Sequence, residues 1–152
     1  MQKVIISDTS CIILLDKIGE LYLLNKLFGQ VLITEIIAKE YDHELPDWFL
    51  IKNPENKNYQ KILEASLDKG EASAIALAME HTESLIIIDD LRGRKYAEQL
   101  GIKITGTLGI LVDAKINGFL ESVKAPLEKL QLTNFRISSE LVRRTLEKSG
   151  EY

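Results

Sequence analysis

Short aliphatic runs alternate along the chain with longer stretches whose apolar residues recur every three to four positions. Val4-Ile5-Ile6, Val31-Leu32-Ile33, Leu85-Ile86-Ile87-Ile88 and the segment from Ile102 to Ile104 are the short runs. A brief, unalternated apolar run bounded by polar residues is the pattern of a strand buried on both faces. Helices are expected between them. Asp8-Thr9-Ser10 supplies capping side chains for a helix through Leu15, and residues 20–28 carry Leu21, Leu24, Leu27 and Phe28 at helical spacing before Gly29 stops them. Thr34 caps a helix running to about Asp42. Further helices are predicted over 59–67, 70–81, 91–100 and 107–117, the last two closed by Gly101 and Gly118. Pro126 suits the first turn of one more, and Ser138 caps a final helix carrying Leu141, Val142 and Leu146. Residues 43–58, with Pro46, Pro54 and a Trp48-Phe49-Leu50-Ile51 run, stay unassigned: that run reads either as a short strand or as a surface patch.

Strands separated by helices of this length predict an α/β fold with a short parallel sheet of about four strands and helices on both faces. Sites in such sheets lie beyond the carboxyl ends of the strands. With 152 residues, 45% of them hydrophobic and 28% charged, and a mean hydropathy of −0.02, the chain has the material for one domain, 1–152, and its core. Its helices from about 122 onward pack on that core or extend it. A net charge of −4 rules out general attraction to a polyanion as the main source of affinity, so any nucleic-acid contact must be local. Arg92, Arg94 and Lys95, and again Arg143 and Arg144, are local basic sets, each also readable as a solvated helix face. The one cysteine, Cys11, excludes an internal disulfide and a Cys-rich zinc site; it reads as a buried, inert thiol and fits a reducing cytoplasm. No apolar segment reaches the ~18–20 residues of a membrane span, and the N-terminal pattern does not resemble a signal peptide, because the apolar stretch begins after a single lysine and Asp8 interrupts it.

The candidate chemistry is carboxylate chemistry. Asp8 directly follows the first strand; Glu40 shares a helix face with Ile36 and Ile37; Glu71 opens the Gly70-Glu-Ala-Ser-Ala-Ile-Ala helix; Asp89 and Asp90 end the third apolar run. Each has an ordinary alternative. Asp8 and either member of the Asp pair could be helix caps, Glu40 half of an ion pair, and Glu71 a complement to its helix dipole. The expected topology nonetheless brings Asp8, Asp89-Asp90 and Glu71 to one sheet edge. Four converging acids without intervening cations repel one another, and a hard divalent cation relieves that repulsion. Mg²⁺ or Mn²⁺ suits an all-carboxylate set better than zinc. His43 and His81 fall in or beside surface segments and read as exposed.

The succession Asp8-Thr9-Ser10, Glu40, Gly70-Glu71-Ala72 and Ile88-Asp89-Asp90 resembles the PIN-domain superfamily of metal-dependent ribonucleases. Asp89-Asp90-Leu-Arg-Gly-Arg-Lys, Gly106-Thr-Leu-Gly109 and Phe135-Arg-Ile-Ser138 are similar to a toxin-like branch of it. The resemblance spans almost the whole chain. It implies a PIN-like three-layer α/β/α fold; metal ligation by Asp8, Glu40, Glu71 and one of Asp89 and Asp90; and a supporting role for Ser10. It also implies RNA phosphodiester hydrolysis, a small antitoxin partner and a homodimer. Thr105-Gly-Thr stands where a further acid often occurs, which bears on a second metal position. By proximity to the Asp pair, Arg92, Arg94 and Lys95 are expected to contact RNA phosphates. The rival from another class is a PIN-like fold that binds RNA or protein without cleaving. An aspartyl phosphotransferase fits poorly because Ser10 stands where its second acid belongs. A nucleotide-binding redox domain fits poorly because Gly106-Thr-Leu-Gly109 comes too late and lacks the glycine spacing.

Overall fold

The computed structural model describes residues 3–152. β1 (Val4–Ser7) leads into α1 (Thr9–Lys17) and α2 (Tyr22–Phe28); β2 (Val31–Ile33) follows, then α3 (Glu35–Tyr41) and β3 (Phe49–Ile51). Two helices, α4 (Lys57–Glu64) and α5 (Lys69–Met79), precede β4 (Ser84–Ile87); α6 (Leu91–Gln99) leads to β5 (Lys103–Thr105). The chain finishes with α7 (Thr107–Ile116), α8 (Lys124–Gln131) and α9 (Ser139–Ser149).

The strands form one parallel sheet in the order β3-β2-β1-β4-β5. It has five strands rather than the four expected, and the additional one lies in the segment left unassigned. β3 is hard to read because it is an edge strand of three residues in which only Phe49 is buried. Ile6 and Ile86, paired in register on the central strands, are completely buried, as a sheet covered on both faces requires. The caps that sequence pattern suggests are largely present: Thr34 Oγ1 accepts from the Ile37 N–H at 3.3 Å, and Ser138 Oγ from the Leu141 N–H at 3.1 Å.

Strand order sets the place of the site. From β1 the chain steps outward through β2 to β3, then returns past β1 to β4 and continues outward to β5. With right-handed crossovers, the two directions of travel put their helices on opposite faces. Accordingly α1 and α2 pack with α7, whereas α4, α5 and α6 pack together, giving three layers. The direction reverses between β1 and β4, the position where a crevice opens at the carboxyl edge of an open sheet. Asp8 and Asp89 leave the sheet on either side of it. Hydrogen bonds from the Asp8 N–H to the Ile87 carbonyl (2.9 Å) and from the Ile88 N–H to the Thr105 carbonyl (2.8 Å) carry the pairing up to them.

Candidate functional site

Asp8 occupies the N-cap position of α1, yet its side chain makes no capping hydrogen bond to the N–H groups two or three residues further on. The helix-cap explanation therefore fails for it. The residue is only 4% exposed, and burial, joined by the charges of Asp68, Glu40 and Asp89, pushes its pKa up to about 7 against one hydrogen bond from the Thr9 N–H.

Glu71 lies in the first turn of α5 and is 6% exposed. The Gly-Glu-Ala-Ser-Ala-Ile-Ala run lets α5 bury all of its residues from Gly70 to Ala78, which is why a first-turn glutamate ends up inside. Burial, then the charges of Asp8, Asp68 and Asp90, raise its pKa to about 8. Dipole complementation alone would leave such a group on the surface and easily ionised.

Asp89 and Asp90 point to different tasks. Asp90 Oδ2 accepts from the Gly93 N–H at 3.0 Å and so caps α6. Asp89 turns inward: Oδ1 accepts from the Thr107 N–H at 2.9 Å, and Oδ2 from the Thr107 hydroxyl at 2.6 Å and the Cys11 thiol at 3.1 Å. A carboxylate offers about four acceptor sites, so three donors orient Asp89 without exhausting it. Gly106 makes this approach possible, because a Cβ there would stand 2.5 Å from Asp89 Oδ1 and 2.9 Å from Arg94 Nη1. Thr107 closes the Thr105-Gly-Thr stretch that follows the fourth predicted strand. Cys11 is buried as expected, its thiol pKa pushed well up by burial and by Asp89.

Glu40 reaches the site from its rim. The helical pattern put it on an apolar face, but α3 ends one residue later, and Glu40 is exposed there while Ile37 is buried. Its Oε1 accepts from the Thr9 hydroxyl at 2.6 Å, and a Cβ on Gly70 would collide with that same oxygen. Glycine at 70 thus lets α3 and α5 bring their acids together. Asp68 is the acid that the pattern of residues did not reveal. It caps α5, accepting from the Glu71 N–H at 2.8 Å, and its charge bears on both Asp8 and Glu71. Asp68-Lys-Gly-Glu71 has the spacing of a capping box, a signal available in the sequence had the helix been started two residues earlier.

Other candidates lie further out. Ser10 is exposed on α1 and bonds to none of these acids; Thr9 is the hydroxyl that does. Arg92 donates to the Ser66 carbonyl at 3.3 Å, Arg94 to the Ile88 carbonyl at 2.8 Å, and Lys95 is exposed on α6. His43 is exposed, its Nδ1 2.6 Å from the Tyr41 carbonyl oxygen; His81 is half-buried, with Nε2 unpaired, at the opposite end of the strands.

Among the described residues, no lysine or arginine forms an ion pair with Asp8, Glu40, Asp68, Glu71, Asp89 or Asp90. Two buried carboxylates among further acids form a donor set of oxygens only, which suits a hard divalent cation. The same residues hold no ready-made cage, since no three acidic, histidine or cysteine side chains are gathered for a metal ion.

A family model described as a PIN domain matches residues 4–151. The chain belongs to the PIN-domain family. Its match runs from the first residue of β1 past the end of α9, so the acids and the C-terminal helices all fall inside it. No curated protein matches the chain. The PIN domain is a nuclease-type fold, in general a hydrolase that uses divalent metal ions, and the three-layer α/β/α arrangement here agrees with that expected from the resemblance. Among the described residues no helix is long and apolar enough to cross a membrane.

Proposed function

We propose that this PIN domain is a ribonuclease that hydrolyses RNA phosphodiesters with Mg²⁺ or Mn²⁺ held by Asp8, Glu71 and Asp89. One observation carries the reading: Asp8 and Glu71 are buried together among acids, with pKa values raised to about 7 and about 8 and, among the described residues, no lysine or arginine in an ion pair with them. Burying uncompensated carboxylates costs several kcal/mol, a cost a structural role does not explain. When bound, the ion supplies a Lewis acid that activates water and offsets charge on the phosphate oxygens.

The chain's own groups supply the rest. Thr107 and Cys11 fix the direction of Asp89, and Thr9 holds Glu40 beside Asp8. Glu40 and Asp68, nearer solvent, add negative potential that draws a cation toward the crevice and accept hydrogen bonds from its water shell. Asp90, engaged in capping α6, acts on Glu71 through its charge, so Asp89 is the ligand of the pair. Arg92 and Lys95 lie outside the acids, where they meet backbone phosphates; Arg94 is held closer in by the Ile88 carbonyl.

A second reading has an observation of its own: the acids are not gathered into a cage, and Asp89 already has three donors. That arrangement suits an inactive PIN fold that binds RNA or protein. A Mn²⁺ titration followed by calorimetry, with RNA cleavage measured on wild type, Asp8→Asn and Glu71→Gln, separates the two. The nuclease reading expects one saturable metal site and at least about a 100-fold loss of cleavage in either variant. Cleavage that persists in both variants, or proceeds in chelator, removes it; metal binding with RNA left intact favours the binding module. A toxin role with a small antitoxin, and a homodimer, belong to the same proposal. Growth arrest on expressing wild type but not Asp8→Asn, relieved by a neighbouring short reading frame, is the expected sign of the former; sedimentation tests the latter.

A further inference from the structure

The two arginines of the Asp89-Asp90-Leu-Arg-Gly-Arg-Lys motif have different surroundings. Two positions apart on a helix, side chains leave the axis about 200° from each other. Arg92 accordingly turns to the Ser66 carbonyl at 3.3 Å, while Arg94 is half-buried and its Nη1 donates to the Ile88 carbonyl at 2.8 Å. Gly93 makes that reach possible: it is buried, and a Cβ there would stand 2.5 Å from Ile88 Cδ1, so the first turn of α6 rests directly on Ile88. Ile88 is itself fully buried, and its N–H bonds to the Thr105 carbonyl at 2.8 Å. The Ile88 carbonyl belongs to the planar peptide unit that carries the Asp89 N–H. A donor on that oxygen therefore fixes the plane from which the Asp89 side chain leaves the backbone. The guanidinium also stands beside the carboxylate, since a Cβ on Gly106 would meet Asp89 Oδ1 at 2.5 Å and Arg94 Nη1 at 2.9 Å. The two groups form no ion pair, so Asp89 keeps acceptor capacity for an ion.

We propose that Arg94 is a positioning residue of the metal site, fixing the Ile88–Asp89 peptide so that Asp89 meets the ion in one orientation, and that it acts through Asp89 rather than on an RNA phosphate. The inference rests on the reading of Asp8, Glu71 and Asp89 as ligands of Mg²⁺ or Mn²⁺, and adds to them a residue outside the acids that governs one of them. The sign of its effect separates this role from a purely electrostatic one. A cation this close to a ligand repels a divalent ion, so charge alone would make Arg94 an opponent of metal binding. Orientation works the other way, because a carboxylate already held in place loses less freedom when the ion arrives. Lysine keeps the charge but replaces the planar fork with a compact ammonium on a flexible stem, so it tells the two apart.

The test is a calorimetric Mn²⁺ titration of the full chain as wild type, Arg94→Lys and Arg94→Met, with melting curves recorded in chelator. Expected is a loss of about 10-fold to 100-fold in Mn²⁺ affinity in Arg94→Lys, although its charge is unchanged, and a loss in Arg94→Met as well. Melting temperatures should stay within about 8 °C of wild type in both. RNA cleavage gives a second readout: activity of Arg94→Lys should recover as Mn²⁺ is raised, with KM for RNA unmoved. Mn²⁺ affinity unchanged in Arg94→Lys, or raised in Arg94→Met, overturns the inference and leaves the hydrolase reading standing. So does a KM raised at every Mn²⁺ concentration, the sign of a lost phosphate contact. A larger fall in melting temperature in both variants makes Arg94 a structural residue and also overturns it. Mn²⁺ affinity lost in Arg94→Lys, with RNA left intact by wild type, supports the inference and removes the hydrolase reading. A wild type that binds no Mn²⁺ removes both.

Discussion

Two sets of carboxylates in this protein are partly or wholly withdrawn from water, and they are treated in opposite ways. Near the C-terminus, Glu151 accepts from the Ser122 hydroxyl, from the Val123 N–H at 2.8 Å and from the Ser149 hydroxyl at 3.2 Å, with Lys115 3.7 Å away. Burial pushes its pKa up, but these donors outweigh it and the group ends below its ordinary value. At the other end of the comparison, Asp8 and Glu71 are buried with acids for neighbours and end near 7 and 8. Glu151 is a clamp that ties α9 to the start of α8. Among the described residues Asp8 and Glu71 tie no distant elements together through their side chains, and charge that destabilises the fold is the mark of a group kept for another purpose.

The largest expected effect is on the pH dependence of stability without metal. The folded pKa values of Asp8 and Glu71 lie above their unfolded values near 3.8 and 4.5, so the folded state keeps protons that the unfolded chain has lost. Their contribution is fully present below about pH 4 and is lost as pH rises through about 7 and 8. Thermal or denaturant melts of the metal-free chain should therefore show stability falling by a few kcal/mol between pH 5 and 8. Asp8→Asn with Glu71→Gln should flatten the slope, and Mn²⁺ at pH 8 should restore stability with release of protons. A flat profile in the wild type would erase the contrast with Glu151.

A smaller effect follows from Thr107, which orients Asp89 through both its N–H and its hydroxyl. Thr107→Val keeps the shape and loses the hydroxyl, and should weaken Mn²⁺ binding about 10- to 100-fold with little change in melting temperature. Glu151→Ala should do the reverse: about 1–3 kcal/mol lost in a urea titration, because the Val123 N–H and two hydroxyls lose their acceptor, with metal affinity unmoved. Lys115→Ala should cost less than about 1 kcal/mol, since its ion pair with Glu151 is long and partly exposed. A larger loss would mean that charge, rather than hydrogen bonding, governs the clamp.

Much of the fold could be read from pattern because the central strands are buried on both faces and the helices carry their caps in the sequence. β3 could be read only as one of two alternatives: the Trp48-Phe49-Leu50-Ile51 run fits a short strand or a surface patch, and with Leu50 and Ile51 exposed at the sheet edge neither alternation nor flanking signals separate the two. Asp8, Glu71 and Asp89 were legible as candidates, since strand ends and helix starts in a parallel sheet converge by topology. Asp68 was not, because it sits beside Lys69 in an exposed cap and enters the site only through its charge. Glu40 was legible by position but not by setting. Helical periodicity assigns a face, and it says nothing about a helix that stops one residue later.

The adjacent acids Asp89 and Asp90 look like redundancy in the sequence. In three dimensions they divide the work, Asp89 tying the start of α7 and Asp90 the start of α6. A two-residue step thus pins two helices on opposite faces of the sheet to the end of one strand. The positions of those two helix starts relative to each other are tied to that dipeptide. Inserting a single residue between Asp89 and Asp90 would leave every acid in the protein and unfasten one helix start from the other.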